Sequence, residues 1–110
     1  MASIDISQLI QSMLGAATGA AKGHAEDLKN YVEAQAKLIA EGAAAITRDR
    51  LANIITDDDV RFAWEEIKRS ENADRAALAV TLKAAAQDAI NAALNVAASA
   101  VNSAVGVAIL

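Results

Sequence analysis

The single histidine of the chain, His24, stands in the run His24-Ala25-Glu26-Asp27. An H-x-E pair serves as metal ligand or general base only if both side chains reach one surface, and a helix turns residues two apart onto different faces. The chain has no second histidine and no cysteine to complete a ligand set. Thr56-Asp57-Asp58-Asp59 gathers three carboxylates, but their spacing is not that of a D-x-[DN]-x-[DN]-G calcium loop. Thr56 suits a helix N-cap, and the acids after it complement the positive end of a helix. Other carboxylates sit four residues before a base, as in Glu33/Lys37, Glu65/Arg69 and Glu71/Arg75, the spacing of solvated ion pairs worth tenths of a kcal/mol. The sequence contains no phosphate-cradling glycine loop, no nucleophile elbow and no serine beside an activating base. These residues point away from catalysis, metal, cofactor or a small-molecule substrate. They point toward a protein that works by packing.

The residues that could carry such packing are uncharged. Ala89 to Leu110 holds 22 residues without a charge, eight of them Ala and eight Ile, Leu or Val. At about 100° per residue the stretch separates into three stripes. Ile90, Leu94, Val101 and Val105 form a bulky apolar one. Ala89, Ala93, Ala97, Ala100 and Ala104 form a flat one that allows another backbone close approach. Asn91, Asn95, Ser99, Asn102 and Ser103 form a polar, neutral one. A solvated face usually carries Lys and Glu, so the third stripe is expected to face a protected setting, such as the lumen of an assembly. A lone membrane anchor fits poorly: eight apolar residues at roughly −0.3 to −0.6 kcal/mol each are largely offset by three buried Asn.

A second neutral stretch runs from Ile6 to Ala21. Ile6, Leu9, Ile10, Met13 and Leu14 recur at helical spacing, with Ser3 or Asp5 as the cap. Gly15, Gly19 and Gly23 follow at intervals of four in GAATGAAKG, which resembles the glycine-zipper motif of membrane and channel proteins. On one helix face, three such positions would let a partner helix lie close. Farther along, Phe62 and Trp64 are the aromatic residues suited to anchor a partner.

These stretches need helices to display them. Apolar residues reach 55% but aromatics only 3%, and proline is absent. An alanine-rich chain of this kind is helical throughout and buries little area per residue, so self-association is the natural remedy. The net charge of −4 offers no basic patch for nucleic acid. The opening MASIDISQLIQSMLG lacks a basic n-region, so it is expected to be no signal peptide but part of the mature protein. Leu28, Val32, Gln35, Ile39, Gly42 and Ile46 follow the 4-3-4-3-4 seam of a coiled coil, and Leu51, Ile54 and Ile55 extend it. Val60, Ala63, Trp64 and Ile67 mark the inward side of the next helix.

The expected fold is all-α and a single domain: a long antiparallel hairpin, helix about 3–55, turn near 56 and helix about 57–108. A break at Ser70-Glu71-Asn72 would make it a three-helix arrangement. Each helix would run about 75 Å. Folded about Thr56, residue 6 lies beside about 106 and residue 21 beside about 91. The neutral stretches then share one end, since 23 of the 24 charged residues lie between Lys22 and Asp88.

The first functional expectation is a structural protein forming a homo-oligomeric ring, tube, pore or filament, membrane-associated or lumen-lining, within a larger viral or secretion-type assembly. The second is an amphipathic binder of lipid or apolar granules; Glu33 to Ile46 resembles granule-coating phasins in composition. The third is a soluble module docking on a larger partner through Phe62 and Trp64.

Overall fold

Helical periodicity without proline gives helices, and their ends are set by caps and by residues of left-handed conformation. The computed structural model describes residues 4–76 and 78–110, so Ser3 lies outside the described residues. Four helices follow in order: α1 (Ile6–Ala20), α2 (Lys29–Leu51), α3 (Asp57–Arg75) and α4 (Val80–Val105). Asp5 caps α1, its Oδ1 accepting the N–H of Gln8 at 3.1 Å. Thr56 caps α3 reciprocally: Thr56 Oγ1 accepts from Asp59 N at 3.2 Å, and Asp59 Oδ2 accepts from Thr56 N at 2.9 Å. Those bonds hold the Asp59 carboxyl below its ordinary pKa, the backbone bond from Thr56 contributing most.

The turn at residue 56 is therefore present, but each expected long helix is broken once. The first ends where Lys22 (φ +49°) and Gly23 (φ +93°) take left-handed backbone, a conformation glycine adopts at no steric cost. The second breaks between Arg75 and Val80, not at Ser70-Glu71-Asn72, which lie inside α3. No glycine or proline stands there; Ala79 turns extended (ψ 143°) and starts α4 without a side-chain cap. Packing sets this break, because only a short α3 lets α4 return along α1 and α2. The α2 end uses Asn53 (φ +59°) in place of glycine. Ile54 N donates to Asp49 O at 2.9 Å and Asn53 N to Arg50 O at 3.1 Å, the paired bonds of a Schellman ending. Leu51 and Ile54 are consequently exposed and do not extend the apolar seam.

Helices consecutive in the chain run antiparallel. Arg50 Nε meets Asp57 Oδ1 at 2.6 Å near the α2–α3 turn, and Gln35 meets Glu71 at the far end. Ile4, Asp5 and Ser12 of the α1 end share a groove with Val96, Ser103 and Ala104 of α4. The neutral stretches thus pair close to the expected register. The result is an up-down-up-down bundle in which α2 and α4 touch every other helix and α1 does not reach α3. Its extents are 43 × 24 × 19 Å. The radius of gyration, 13.9 Å, is near the roughly 13 Å of a compact chain of this length, not that of a rod.

The α2 seam turns inward as expected: Leu28, Val32, Ile39 and Ile46 are buried. Gly42 explains its place there, since a Cβ at that position would lie 2.9 Å from Ile67 Cδ1 of α3. Beside this seam Thr47 is 1% exposed and its hydroxyl has no hydrogen-bond partner. A buried unpaired hydroxyl costs on the order of 1 kcal/mol or more. Thr47→Val should therefore raise stability by about 1 kcal/mol, or roughly 4–8 °C in Tm. Thermal unfolding followed by circular dichroism checks this; an unchanged or lowered Tm would mean the hydroxyl is satisfied.

Candidate functional site

Three places gather polar or unpaired groups. The first lies between α2 and α3. The row Val60, Trp64, Ile67, Glu71 repeats every fourth and third residue, so α3 carries Glu71 inward with its apolar neighbours. Glu71 is 3% exposed. The surface pair Glu71/Arg75 expected from spacing does not form; Arg75 donates to Asn72 instead. Across the interface the Gln35 amide lies against two carboxylates; turned so that its nitrogen faces them, it lies 2.7 Å from Glu71 Oε2 and 3.1 Å from both Glu71 Oε1 and Asp74 Oδ2, and its two hydrogens are shared among the three oxygens. One turn away, the buried Tyr31 hydroxyl has no partner. Gln35, the polar member of the seam, meets a carboxylate there.

Burial, and next the neighbouring Asp74 charge, push the Glu71 carboxyl from its ordinary 4.5 up to about 7, against the opposing pull of Arg75. Burial, with the Glu71 charge next, pushes the Tyr31 phenol up to about 12. A carboxyl with a raised folded pKa binds more protons in the folded than in the unfolded chain. The contribution of Glu71 to stability is then full below about 4.5, is lost as pH rises from there to about 7, and levels off above. The cluster can take up a proton near neutrality, with the Tyr31 hydroxyl beside it.

The second place is the groove between α3 and α4, about 500 Å³, with Arg61, Trp64 and Lys68 on one wall and Leu94, Ala98 and Asn102 on the other. Its end is closed by Ile109 and Leu110. Arg61 Nη1 donates to Asp58 Oδ1 at 2.7 Å and Arg61 Nε to the Ile109 carbonyl at 3.1 Å. The third place is the outer side of α1, where Ser7, Gln11, Gly15, Thr18 and Gly19 are exposed.

The residues singled out from sequence scatter over these places. Gly15 and Gly19 are helical and face open space, with nothing within 4 Å of an added Cβ. Gly23 leaves the ladder, because its left-handed backbone serves the α1–α2 connection. Ala89, Ala93 and Ala97 are fully buried inside the chain itself, and Ala100 and Ala104 are half-buried. The flat face therefore packs on the chain's own helices. The polar stripe divides: Asn95, Ser99 and Asn102 line the α3–α4 groove, Ser103 lines the α1–α4 groove, and Asn91 is exposed. Trp64 is 3% exposed and belongs to the core, whereas Phe62 is 66% exposed. The two aromatics do not form one anchor. Glu71, Gln35 and Tyr31 were not picked from sequence, although the 60-64-67-71 spacing placed Glu71 on the buried row.

Among the described residues no group of three His, Cys, Asp or Glu is placed to hold a metal ion. Nor is any helix among them long and apolar enough to cross a membrane. Compared with protein-family models, curated proteins and solved structures, the chain matches none.

Glu71→Gln keeps the shape and removes the charge. It should stabilise the fold at pH 8 by up to about 3 kcal/mol, the raised pKa converted at about 1.4 kcal/mol per unit, and change it little near pH 4.5. Unfolding in urea from pH 4.5 to 8.5 measures this; identical profiles for both chains would show Glu71 to be solvated.

Proposed function

We propose that the protein is a non-catalytic structural subunit, a helical bundle that self-associates into a homo-oligomer through the uncharged outer face of α1. The observation that carries the proposal is the pair Gly15 and Gly19. Both lie inside a helix, neither has positive φ, and neither receives a neighbouring side chain. A glycine in a helix interior costs about 1 kcal/mol relative to alanine. The close approach of another helix, which small residues permit, is the gain that offsets this.

A second copy is the occupant that charge favours. The chain carries a net −4, so copies repel one another over most of their surfaces. From Ile6 to Ala20 no residue is charged. The α1 face is therefore where two acidic copies meet without like-charge contact, and its Ser, Gln and Thr side chains offer both donors and acceptors to an identical surface. An isologous contact of this kind closes a dimer, whereas a head-to-tail one builds a ring, tube or filament.

Size-exclusion chromatography with light scattering tests the reading. The natural chain should run above its 11.3 kDa monomer mass. Gly15→Leu with Gly19→Leu should return it to monomer while keeping its helical dichroism. A natural chain that stays monomeric at high concentration overturns the proposal. In that case Gly15→Ala, deep in α1, would simply stabilise the monomer by about 1 kcal/mol, and Gly19→Ala, beside the helix end, by less.

A further inference from the structure

Beyond α4 the chain turns back on itself. Gly106 ends the helix in left-handed conformation (φ +90°), and its N–H donates to Asn102 O at 2.9 Å. Asn102 then receives the returning backbone. Its Oδ1 accepts from the N–H of Ile109 and from that of Leu110, both at 2.9 Å, and its Nδ2 donates to Leu110 O at 3.4 Å. From the opposite wall of the groove, Arg61 Nε donates to Ile109 O at 3.1 Å. Ile109 is 6% exposed and joins the core, while Val107 stays exposed.

All four bonds from Asn102 and Arg61 go to main-chain atoms. The slot therefore recognises a short returning backbone with one apolar side chain seated, and nothing in that recognition requires the segment to come from the same α4. Only Gly106, a residue free to change its dihedral angles, ties the segment to its own helix. The groove continues open beside the slot along Trp64, Leu94 and Ala98.

We infer that the slot built by Asn102, Arg61 and the α3–α4 groove accepts residues 107–110 of a second copy as well as its own, so that exchange of this segment links chains. The inference rests on the self-association reading and adds a contact on α3, the helix that α1 does not reach. The exchanged form keeps the same hydrogen bonds. The closed form is favoured only by the effective concentration of a tethered segment, as in other cases of domain swapping.

The test uses full-length chains carrying Gly15→Leu and Gly19→Leu, which removes the α1 contact. In one chain Ile109→Asp expels the segment and leaves the slot free. In the other, Asn102→Ala with Arg61→Ala disables the slot and leaves the segment intact. An end-blocked peptide of residues 106–110 is the first probe, read by the fluorescence of Trp64, the only tryptophan in the chain. The Ile109→Asp chain should show a saturable response. The chain with its own segment in place should respond about tenfold or more weakly, since that segment competes at an effective concentration near millimolar. Mixing the two variants should then give a one-to-one pair by native mass spectrometry, with no pair from either alone.

No peptide response in a folded Ile109→Asp chain overturns the inference, and so does peptide binding without pairing, which makes the segment an internal latch. If Ile109→Asp unfolds the bundle by circular dichroism, Ile109→Ser takes its place under the same criteria. Failure of the α1 reading shows separately, as an unchanged particle size when Gly15 and Gly19 alone are replaced.

Discussion

How closely α4 can lie against α1 and α2 determines the rest of this bundle. Ala86, Ala89, Ala93 and Ala97 are all fully buried, and side chains of one carbon let three helices converge where bulkier ones would hold them apart. Close approach raises the number of atom pairs at van der Waals distance, which individually contribute only about 0.1–0.2 kcal/mol. In a chain with one Phe, one Trp and one Tyr, density stands in for bulk. The larger side chains that close the core, Met13, Leu28, Ile39, Ile90 and Val101, flank the alanine face. The same constraint accounts for the break between α3 and α4. A continuous 50-residue helix would carry its alanine face beyond the broken α1–α2 pair, and burial is recovered only by turning back.

Against this tight centre, the α2–α3 interface makes different use of its interior. It accepts Ile67 over Gly42 and a carboxylate against Gln35. A charge taken out of water is costly unless paired, and a neutral amide compensates it only in part. The carboxyl answers by holding its proton until near neutrality, and Glu71 itself destabilises the fold where it is ionised. The attachment of α3 to α2 therefore carries this pH dependence. The α3 helix is also the wall of the groove in which 107–110 is held, so the strength of that wall and the state of Glu71 are carried by one helix.

Much of the fold was legible because its signals are local. The α2 seam, the row Val60-Trp64-Ile67, the Thr56 cap and the antiparallel meeting of the two neutral stretches follow from period and capping chemistry. What was not legible depends on partners that sequence does not name. Gly23 shares its spacing with Gly15 and Gly19, and only the backbone angle separates a turn residue from two helical ones. Asn53 ends α2 in a conformation that glycine would have announced. The break between Arg75 and Val80 has no glycine or proline to mark it. An alanine stripe reads the same whether it meets its own chain or another, and here its centre proved internal. Asn102 carries the same side chain as Asn91 and Asn95, and only the returning backbone sets it apart. Glu71 was read as half of a surface pair because i,i+4 charge spacing was weighed above its place on the buried row.

The charge partition noted in the sequence takes on another meaning in a bundle. In a rod it would separate one end from the other. In the folded chain the helix without charge, α1, lies on one side and α3, which bears carboxylates at its start and ion pairs along its length, on another. On the proposed reading, copies of an acidic protein would repel through the second surface and approach through the first, so charge would orient an encounter between identical chains. Close packing then decides whether the encounter lasts. The residues that allow the closest approach, Gly15 and Gly19, lie on the surface where repulsion is absent. Orientation by charge and retention by packing therefore converge on one helix. That coincidence, rather than either feature alone, is what the proposal of self-association through α1 rests on.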